Sequence, residues 1–407
     1  MRCMKPLRIG IVTETYPPEV NGVAMSVAQL ARGMRARGHL LQLVRPRQGA
    51  ADVAALDEVL VKAWPIPRYP QLHMGAPARR ELMALWSQRR PDVVHIATEG
   101  PLGWSALRAA RQLRIPVSSD FRTNFHSYGQ HYGMPWMTRP ILAYLRHFHN
   151  RAQATMVPTE ALRKALHQQG FERLHVVGRG VDTQLFDPAR RSAALRASWG
   201  VADDELVLAY VGRLAAEKNL ALVLRAYEAA RAARWRVRLL LVGDGPMRVA
   251  LQAACPQAIF CGHRSGIDLA VHYASADVFV FASLTETFGN VTTEAMASGL
   301  PVVAFRHAAA GQLIQSGVNG LLAISERDED FIDATLRLLG AHHWRRAIGH
   351  GARDTALGIG WHRVVAQFEA VACLVGAASS DDGQVGDDRP VGRHAADGIR
   401  GWRTQPR

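Results

Sequence analysis

The chain has 407 residues, 48% of them hydrophobic and 21% charged, with a formal net charge of +14 and a sequence pI near 10.3. That length exceeds what one core sustains, so two domains are expected, and the balance is that of a soluble globular protein rather than a disordered or fibrous one. The positive charge favours an anionic partner (a phosphate-bearing substrate, an acidic membrane surface or a nucleic acid), although an Arg-rich coding bias would give the same excess. No zinc finger, basic zipper or RNA-binding aromatic signature accompanies the charge, so nucleic acid is the weakest of the three and none is expected. Cys3, Cys255, Cys261 and Cys373 are scattered without a Cys-x-x-Cys pair. They imply neither a disulfide framework nor a zinc site, and a reducing, cytoplasmic compartment fits. The apolar run 9–12 behind the basic start is too short for a signal peptide or a membrane span.

In chain order, residues 7–13 read as a first strand, and a helix over 24–37 carries Val23, Val27, Leu30 and Met34 on one face. Gly38 and His39 end that helix, and residues 40–44 form the next strand. Gly22 stands at the helix start, where backbone amides can hold a phosphate. The sequence there is not Gly-x-Gly-x-x-Gly, so no dinucleotide cofactor is indicated. Strands are predicted at 93–96 and 116–119, with a helix at 104–113 between them. The stretch 120–133 follows a strand end and is crowded with polar, aromatic and titrating side chains. It reads equally as a pocket wall or as an ordinary ordered loop. A helix over 139–151, a strand at 154–159 and a helix to residue 169 complete the first half.

The Gly- and Pro-rich turn at 176–188 divides the chain, giving domains at 1–178 and 179–360. The second alternation runs through strands at 206–213, 238–242, 258–261, 277–284 and 302–305, with helices between them. Residues 361–375 form one more amphipathic helix, and 376–407 lose apolar periodicity and read as a disordered tail. Strand–helix alternation in both halves predicts an α/β fold of two doubly wound parallel-sheet domains.

The chemistry concentrates in the second half. The apolar run 277–284 has the character of a buried parallel strand. Glu286, a Gly289-Asn290 break and a helix start that Asn290 or Thr287 could cap follow it. Glu286 and Glu294 are thereby placed at the carboxyl edge of a sheet, one on the loop and one a turn into the helix, where open α/β sheets bind ligands. Taken singly, they would be solvated helix-start charges. Gly212, Arg213 and Lys218 also lie between a strand and a helix. Two cations beside a glycine that admits close approach suit a diphosphate, although each alone would be a surface charge. Cations for a diphosphate and carboxylates for hydroxyl groups, on one sheet edge, describe a nucleotide-sugar site.

On these residues the chain resembles a family 4 retaining glycosyltransferase of the GT-B fold (a group 1 glycosyltransferase), in its mannosyltransferase-like branch. The resemblance rests on Glu286 and Glu294 with Phe288-Gly289 between them, on Ala295-Met296-Ala297-Ser298-Gly299-Leu300-Pro301, and on Gly212-Arg213 with Glu217-Lys218-Asn219. Gly243-Asp244-Gly245-Pro246, Gly180-Val181-Asp182 with Phe186, and Tyr273-Ala274-Ser275-Ala276-Asp277 support it, and the match spans nearly everything before the tail. It implies two Rossmann-like domains facing across a cleft, the first on the acceptor side and the second binding the donor, with the last helix crossing back. It implies that Arg213 and Lys218 bind the donor diphosphate, Glu286 the sugar hydroxyls and Glu294 the ribose. The backbone around Gly212, Phe288, Gly289 and Asn290, and Gly22 from the opposite domain, would approach the phosphates. No cofactor and no metal are expected, since cations and a helix dipole take the metal's place. The implied donor is a nucleotide-diphosphate sugar, with GDP-mannose among the candidates. The implied acceptor is a lipid or a saccharide, attacked from the front side so that the departing phosphate takes its proton.

One position departs from the pattern. The family often carries a histidine in a Phe-His-Thr context, where this chain reads Phe121-Arg122-Thr123, with His126 four residues on. Arginine cannot act as a base at neutral pH. Either His126 substitutes in the catalytic machinery or Arg122 positions a phosphate or a sugar hydroxyl. Two other readings stay open: an epimerase-like GT-B enzyme acting on the nucleotide sugar itself, and a non-catalytic nucleotide-sugar-binding partner protein. Trp136, Arg139, Tyr144, Arg146, His147 and Phe148 add the expectation of a peripheral contact with the anionic inner face of the plasma membrane.

Overall fold

The computed structural model describes residues 5–19, 21–49, 51–66, 69–122, 138–324 and 327–381. The first half contains strands β1 (Arg8–Val12), β2 (Leu40–Pro46) and β3 (Glu58–Val61), a hairpin of β4 (Ala63–Ile66) and β5 (Tyr69–Gly75), and strands β6 (Val93–Ile96), β7 (Val117–Asp120), β8 (Ala154–Val157) and β9 (Leu174–Val176). Apart from the antiparallel hairpin, these strands form one parallel sheet in the order β3-β2-β1-β6-β7-β8-β9. Helices α1 (Gly22–Ala36), α2 (Arg79–Gln88), α3 (Pro101–Gln112), α4 (Thr138–His149) and α5 (Glu160–Gln168) connect them. The central strands are buried on both faces, as parallel strands covered by crossover helices must be.

The second half builds a parallel sheet in the order β12-β11-β10-β13-β14-β15. Its strands are β10 (Leu206–Val211), β11 (Val237–Val242), β12 (Ile259–Gly262), β13 (Val278–Phe281), β14 (Val302–Phe305) and β15 (Leu321–Ala323). Helices α6 (Ala193–Ser198), α7 (Leu220–Ala232), α8 (Arg248–Ala254), α9 (Gly266–Ala274), α10 (Asn290–Ala297), α11 (Ala308–Leu313), α12 (Asp328–Gly340) and α13 (His342–Leu357) surround it. In this sheet the strand order reverses between β10 and β13, which opens a crevice at their carboxyl ends.

The last helix, α14 (Trp361–Asp381), returns to the first half, where Val364, Val365, Phe368, Ala372 and Val375 join the core of β1, β2 and α1. A Cβ on Gly33 would lie 2.3 Å from Val365 Cγ2, so the close approach of α1 and α14 requires a glycine there. A polar clasp fixes the same contact. Arg37 Nε donates to Glu369 at 2.9 Å, and His39 Nε2 lies 2.9 Å from the other Glu369 oxygen. Because the Leu7 amide donates to His39 Nδ1, the proton of the neutral ring sits on Nε2 and is given to Glu369.

Several local expectations change. Residues 376–381 continue α14 instead of starting a tail, because Ala377 and Ala378 extend a helix already nucleated by its packed apolar face; residues 382–407 lie outside the described ones. Cys373 is disulfide-bonded, where the scatter of cysteines implied no such framework. The segment between β2 and β6 holds a strand, a hairpin and α2. Pro65, Pro67 and Pro70 break the hairpin's strand pattern in the sequence. On α4, Phe148 is fully buried, its ring tilted against Trp104 in the core, while Tyr144, Arg146 and His147 remain exposed. Among the described residues no helix is long and apolar enough to cross a membrane.

Candidate active site

Two chain segments leave the crevice between β10 and β13. After β10 comes Gly212, then Arg213, then a 3-10 turn over Ala216–Lys218 that feeds α7 through Asn219 in a left-handed conformation. After β13 comes the loop with Ser283 and Glu286, ending at Gly289. The segments meet where Lys218 Nζ pairs with Glu286 Oε1, with both side chains mostly buried. The Ser283 hydroxyl donates to the same oxygen at 2.9 Å. Backbone clamps hold the loop in place. His307 Nε2 reaches the Glu286 carbonyl at 3.0 Å, the Ala309 amide donates to the Phe288 carbonyl at 2.8 Å, and the Thr285 hydroxyl donates to the Glu217 carbonyl at 3.1 Å. Arg213 contributes a more open charge. Its side chain is 47% exposed, with a 3.4 Å contact to Glu217.

The start of α10 is where an anion would be welcome. Neither Asn290 nor Thr287 caps it: the N-cap is Gly289, at φ +87, and no side chain satisfies the first amides. Gly289 allows the sharp left-handed entry that a β-carbon would strain. The free amides and the positive end of the helix therefore point out of the sheet edge beside Lys218 and Glu286. A turn further on, Glu294 accepts from the Tyr273 hydroxyl at 3.0 Å. Burial pushes the Glu294 carboxyl up to about 7, against the opposing effect of that hydrogen bond.

Residues of the first half face this edge. A Cβ on Gly22 would meet Asn290 Nδ2 at 3.3 Å, so the start of α1 and the start of α10 nearly touch. The α1 amides are not free for a phosphate, however, since Asn21 Oδ1 accepts from Val23 and Ala24 at 3.1 and 2.8 Å. Gly22 thus offers close backbone approach rather than an open helix end. Thr287 Oγ1 makes a long 3.4 Å contact to the Arg122 carbonyl.

The Arg122 side chain turns away from the edge. It is 5% exposed and pairs with Asp120 at 2.7 Å, while Arg179 pairs with the other Asp120 oxygen at 2.8 Å. Burial, then the neighbouring Arg179, lowers the Arg122 guanidinium to about 10. Burial alone would raise the Asp120 carboxyl, but Arg122 and Arg179 outweigh it and hold it low. The sequence suggested Arg122 for contact with phosphate or sugar, and instead its guanidinium is committed to this buried cluster. His126 lies outside the described residues. Under the cluster, His95 hydrogen-bonds Ser118 at 3.1 Å and meets Phe368 edge-on at 4.7 Å, and burial lowers its imidazole to about 4.

The structure therefore gathers Gly212, Arg213, Lys218, Glu286, Phe288, Gly289, Asn290 and Glu294 around one crevice, with Gly22 opposite, and sets the Arg122 side chain apart. Sequence reasoning missed Ser283 and His307, which hold Glu286, and Asp120 and Arg179, and it gave Tyr273 a place in a motif but not its role as the partner of Glu294. A polar residue ending an apolar strand was the available sign for Ser283, whereas Asp120 ends a strand that already carries Ser118 and Ser119 and had no such contrast. Nothing local marked His307, whose role depends on β14 lying beside β13.

The chain as a whole is similar to known proteins. The family described as "Glycosyl transferases group 1" matches residues 205–341, and "Glycosyltransferase Family 4" matches residues 20–185. A GDP-mannose-dependent alpha-mannosyltransferase of Mycobacterium tuberculosis is 37% identical over 376 residues, covering 90% of this chain and 97% of that protein. A sulfoquinovosyl transferase of Arabidopsis thaliana is 30% identical over 369 residues, 88% of this chain and 71% of that protein. Among solved structures, sucrose-phosphate synthase from Thermosynechococcus elongatus superposes with a TM-score of 0.74 at 19% identity, covering 91% of this chain and 100% of that one. With a crevice that joins cations, an open helix start and paired glutamates, and with a relative 37% identical that is matched along 97% of its length, the chain belongs to the group 1, family 4 glycosyltransferases, as a hexosyltransferase on the GT-B fold.

Proposed function

We propose that the chain transfers mannose from GDP-mannose, with retention of configuration, to a hydroxyl of a lipid or glycan acceptor. The observation that carries the reading is the Lys218–Glu286 pair set beside the uncapped start of α10 at the switch point of the second sheet. The donor's identity follows the mannosyltransferase of Mycobacterium tuberculosis, matched over 97% of its length.

In this reading the diphosphate lies against the α10 amides, with Lys218 and Arg213 on it. As the bond from the anomeric carbon to the phosphate oxygen breaks, these groups take up the charge growing on the leaving GDP. Their combined charge does what a divalent cation does elsewhere, so we infer that no metal is required. Glu286 accepts from hydroxyls of the sugar, and Glu294 from those of the ribose. The acceptor oxygen bonds to the anomeric carbon on the face the phosphate leaves, and its proton passes to the departing phosphate. The exposed Arg146, His147 and Tyr144 of α4 would rest on anionic lipid where the acceptor is a lipid. Salt-sensitive sedimentation with anionic liposomes is the expected result there, and no sedimentation would remove that contact.

Turnover tests the whole. Incubation with GDP-mannose and mixed lipid and glycan acceptors should release GDP and yield an α-linked mannoside, read from the anomeric proton. Release of no nucleoside diphosphate from any of a panel of nucleotide sugars would contradict the proposal. So would acceptor-independent conversion of the sugar, which is the behaviour of an epimerase.

A further inference from the structure

Asp120 stands at the carboxyl end of β7 and is 3% exposed, yet two arginines from different parts of the chain share its carboxylate. Arg179 belongs to the strand-like crossing between the two halves. Next to it, Val181 bridges Gly360, and a Cβ on Gly180 would lie 2.7 Å from Trp361, so both chain crossings run side by side at this point. Arg122 reaches the other way. Its backbone carbonyl receives Thr287 of the donor-side loop. With Trp361, Val364 and Phe368 of α14, the three charged residues enclose a small cavity. Among the described residues Arg122 Nε has no hydrogen-bond partner, and Asp120 is the one that pairs with the guanidinium and, through it, steadies the backbone of residue 122.

We propose that Asp120 is a positioning residue that links the crossing between the domains to the donor-side loop, through Arg179 on one side and the Arg122 backbone carbonyl and Thr287 on the other. A buried carboxylate shared by two guanidiniums has few alternative geometries, because any movement that parts one arginine strands an uncompensated charge. Thr287 already lies against the Arg122 carbonyl across the cleft. Asp120 keeps that carbonyl in place relative to the crossing at Arg179, so the donor-side loop and the crossing draw on one arrangement. The inference rests on the crevice being the nucleotide-sugar site.

A double-mutant cycle tests it. Thr287→Val removes the hydroxyl that donates to the Arg122 carbonyl, at a partly buried position where valine is nearly isosteric. Arg179→Lys keeps the charge but loses the fork, and Asp120→Asn removes the anion. Because Asp120→Asn leaves two buried guanidiniums facing each other, Arg179→Lys carries the cycle if that variant does not fold. Each single variant should raise donor KM about tenfold with a smaller change in kcat, and Thr287→Val combined with Arg179→Lys should cost no more than either alone. Fold-changes that multiply in the double variant would overturn the proposal. So would a donor KM unchanged in folded Asp120→Asn or Arg179→Lys, which is what a purely structural cluster predicts. The wild type is the control: if it shows no saturable donor dependence, the reading of the crevice fails, and this proposal with it.

Discussion

Lys218 and Glu286, 68 residues apart in the chain, meet as an ion pair where β10 and β13 diverge. The pair stands ready before any donor arrives, and the Ser283 hydroxyl shares the same carboxylate oxygen. A diphosphate at the start of α10 would draw Lys218 toward itself and release Glu286 to the sugar. Lys218→Ala should therefore lower kcat by about 10²- to 10³-fold, the usual cost of losing one preorganised group on a developing charge. Steady-state kinetics alongside thermal melting checks this. A variant that folds normally and keeps full turnover would exclude Lys218 from the reaction.

Arg213 offers a contrast, being half exposed and only loosely held by Glu217. Such a pair contributes about 0–1 kcal/mol to stability. Arg213→Ala is expected to leave melting unchanged while raising donor KM and lowering kcat/KM. A drop in melting temperature with unaltered kinetics would show the opposite division of roles.

His307 and Ser283 act on Glu286 without themselves facing the sugar. His307 holds its carbonyl at 3.0 Å and Ser283 its carboxylate at 2.9 Å. Misplacing a positioning group by an ångström costs up to about 10²-fold in rate, so His307→Ala and Ser283→Ala should each lower kcat by about tenfold or more. His307→Gln, which can still donate to the carbonyl, should recover part of the loss. Equal activity in His307→Ala and the wild type would remove the histidine from this role.

The pH response follows from Glu294. Its folded pKa of about 7 lies above the ordinary value of 4.5, so the stability tied to its protonated form is complete below 4.5 and is lost as pH rises through about 7. Donor affinity should run the other way, because ribose hydroxyls donate best to the ionised carboxylate. Titrating GDP binding across neutral pH should show affinity rising with pH, and Glu294→Gln should flatten that rise. A wild-type affinity that is flat through pH 7 would contradict the assignment.

Much of this was legible beforehand, for physical reasons that can be named. Strands β10, β13 and β14 are continuous apolar runs, as burial on both faces requires, and the ends of β10 and β13 put Arg213, Lys218, Glu286 and Glu294 on one edge. What sequence could not give were facts set by packing between distant segments. The cap of α10 looked like a task for Asn290 or Thr287, and a left-handed Gly289 leaves it open instead. Arg122 was read as a ligand contact because it stands where the family often carries a histidine, while Asp120, two residues earlier, takes its guanidinium inward. The clasp of Arg37 and His39 on Glu369 joins residues more than 300 positions apart, beyond any local pattern.

That clasp predicts a stability effect separate from catalysis. Glu369 is 3% exposed, and removing it would leave His39 and Arg37 without their shared partner. Glu369→Ala should cost about 1–3 kcal/mol, the range for leaving hydrogen-bond partners unsatisfied, since Arg37 keeps some contact with water. Urea unfolding with limited proteolysis of the C-terminal helix would register it, and an unchanged midpoint would show that the apolar face of α14 suffices.

The most direct measurement is calorimetric titration of the wild type and Lys218→Ala with GDP-mannose, GDP and UDP-glucose. The account predicts saturable binding of GDP-mannose and GDP at one site, clear preference over UDP-glucose, and at least about tenfold weaker binding in the variant, which corresponds to 1.4 kcal/mol or more. Binding of equal strength in Lys218→Ala, or no binding of any of the three to the wild type, would contradict it.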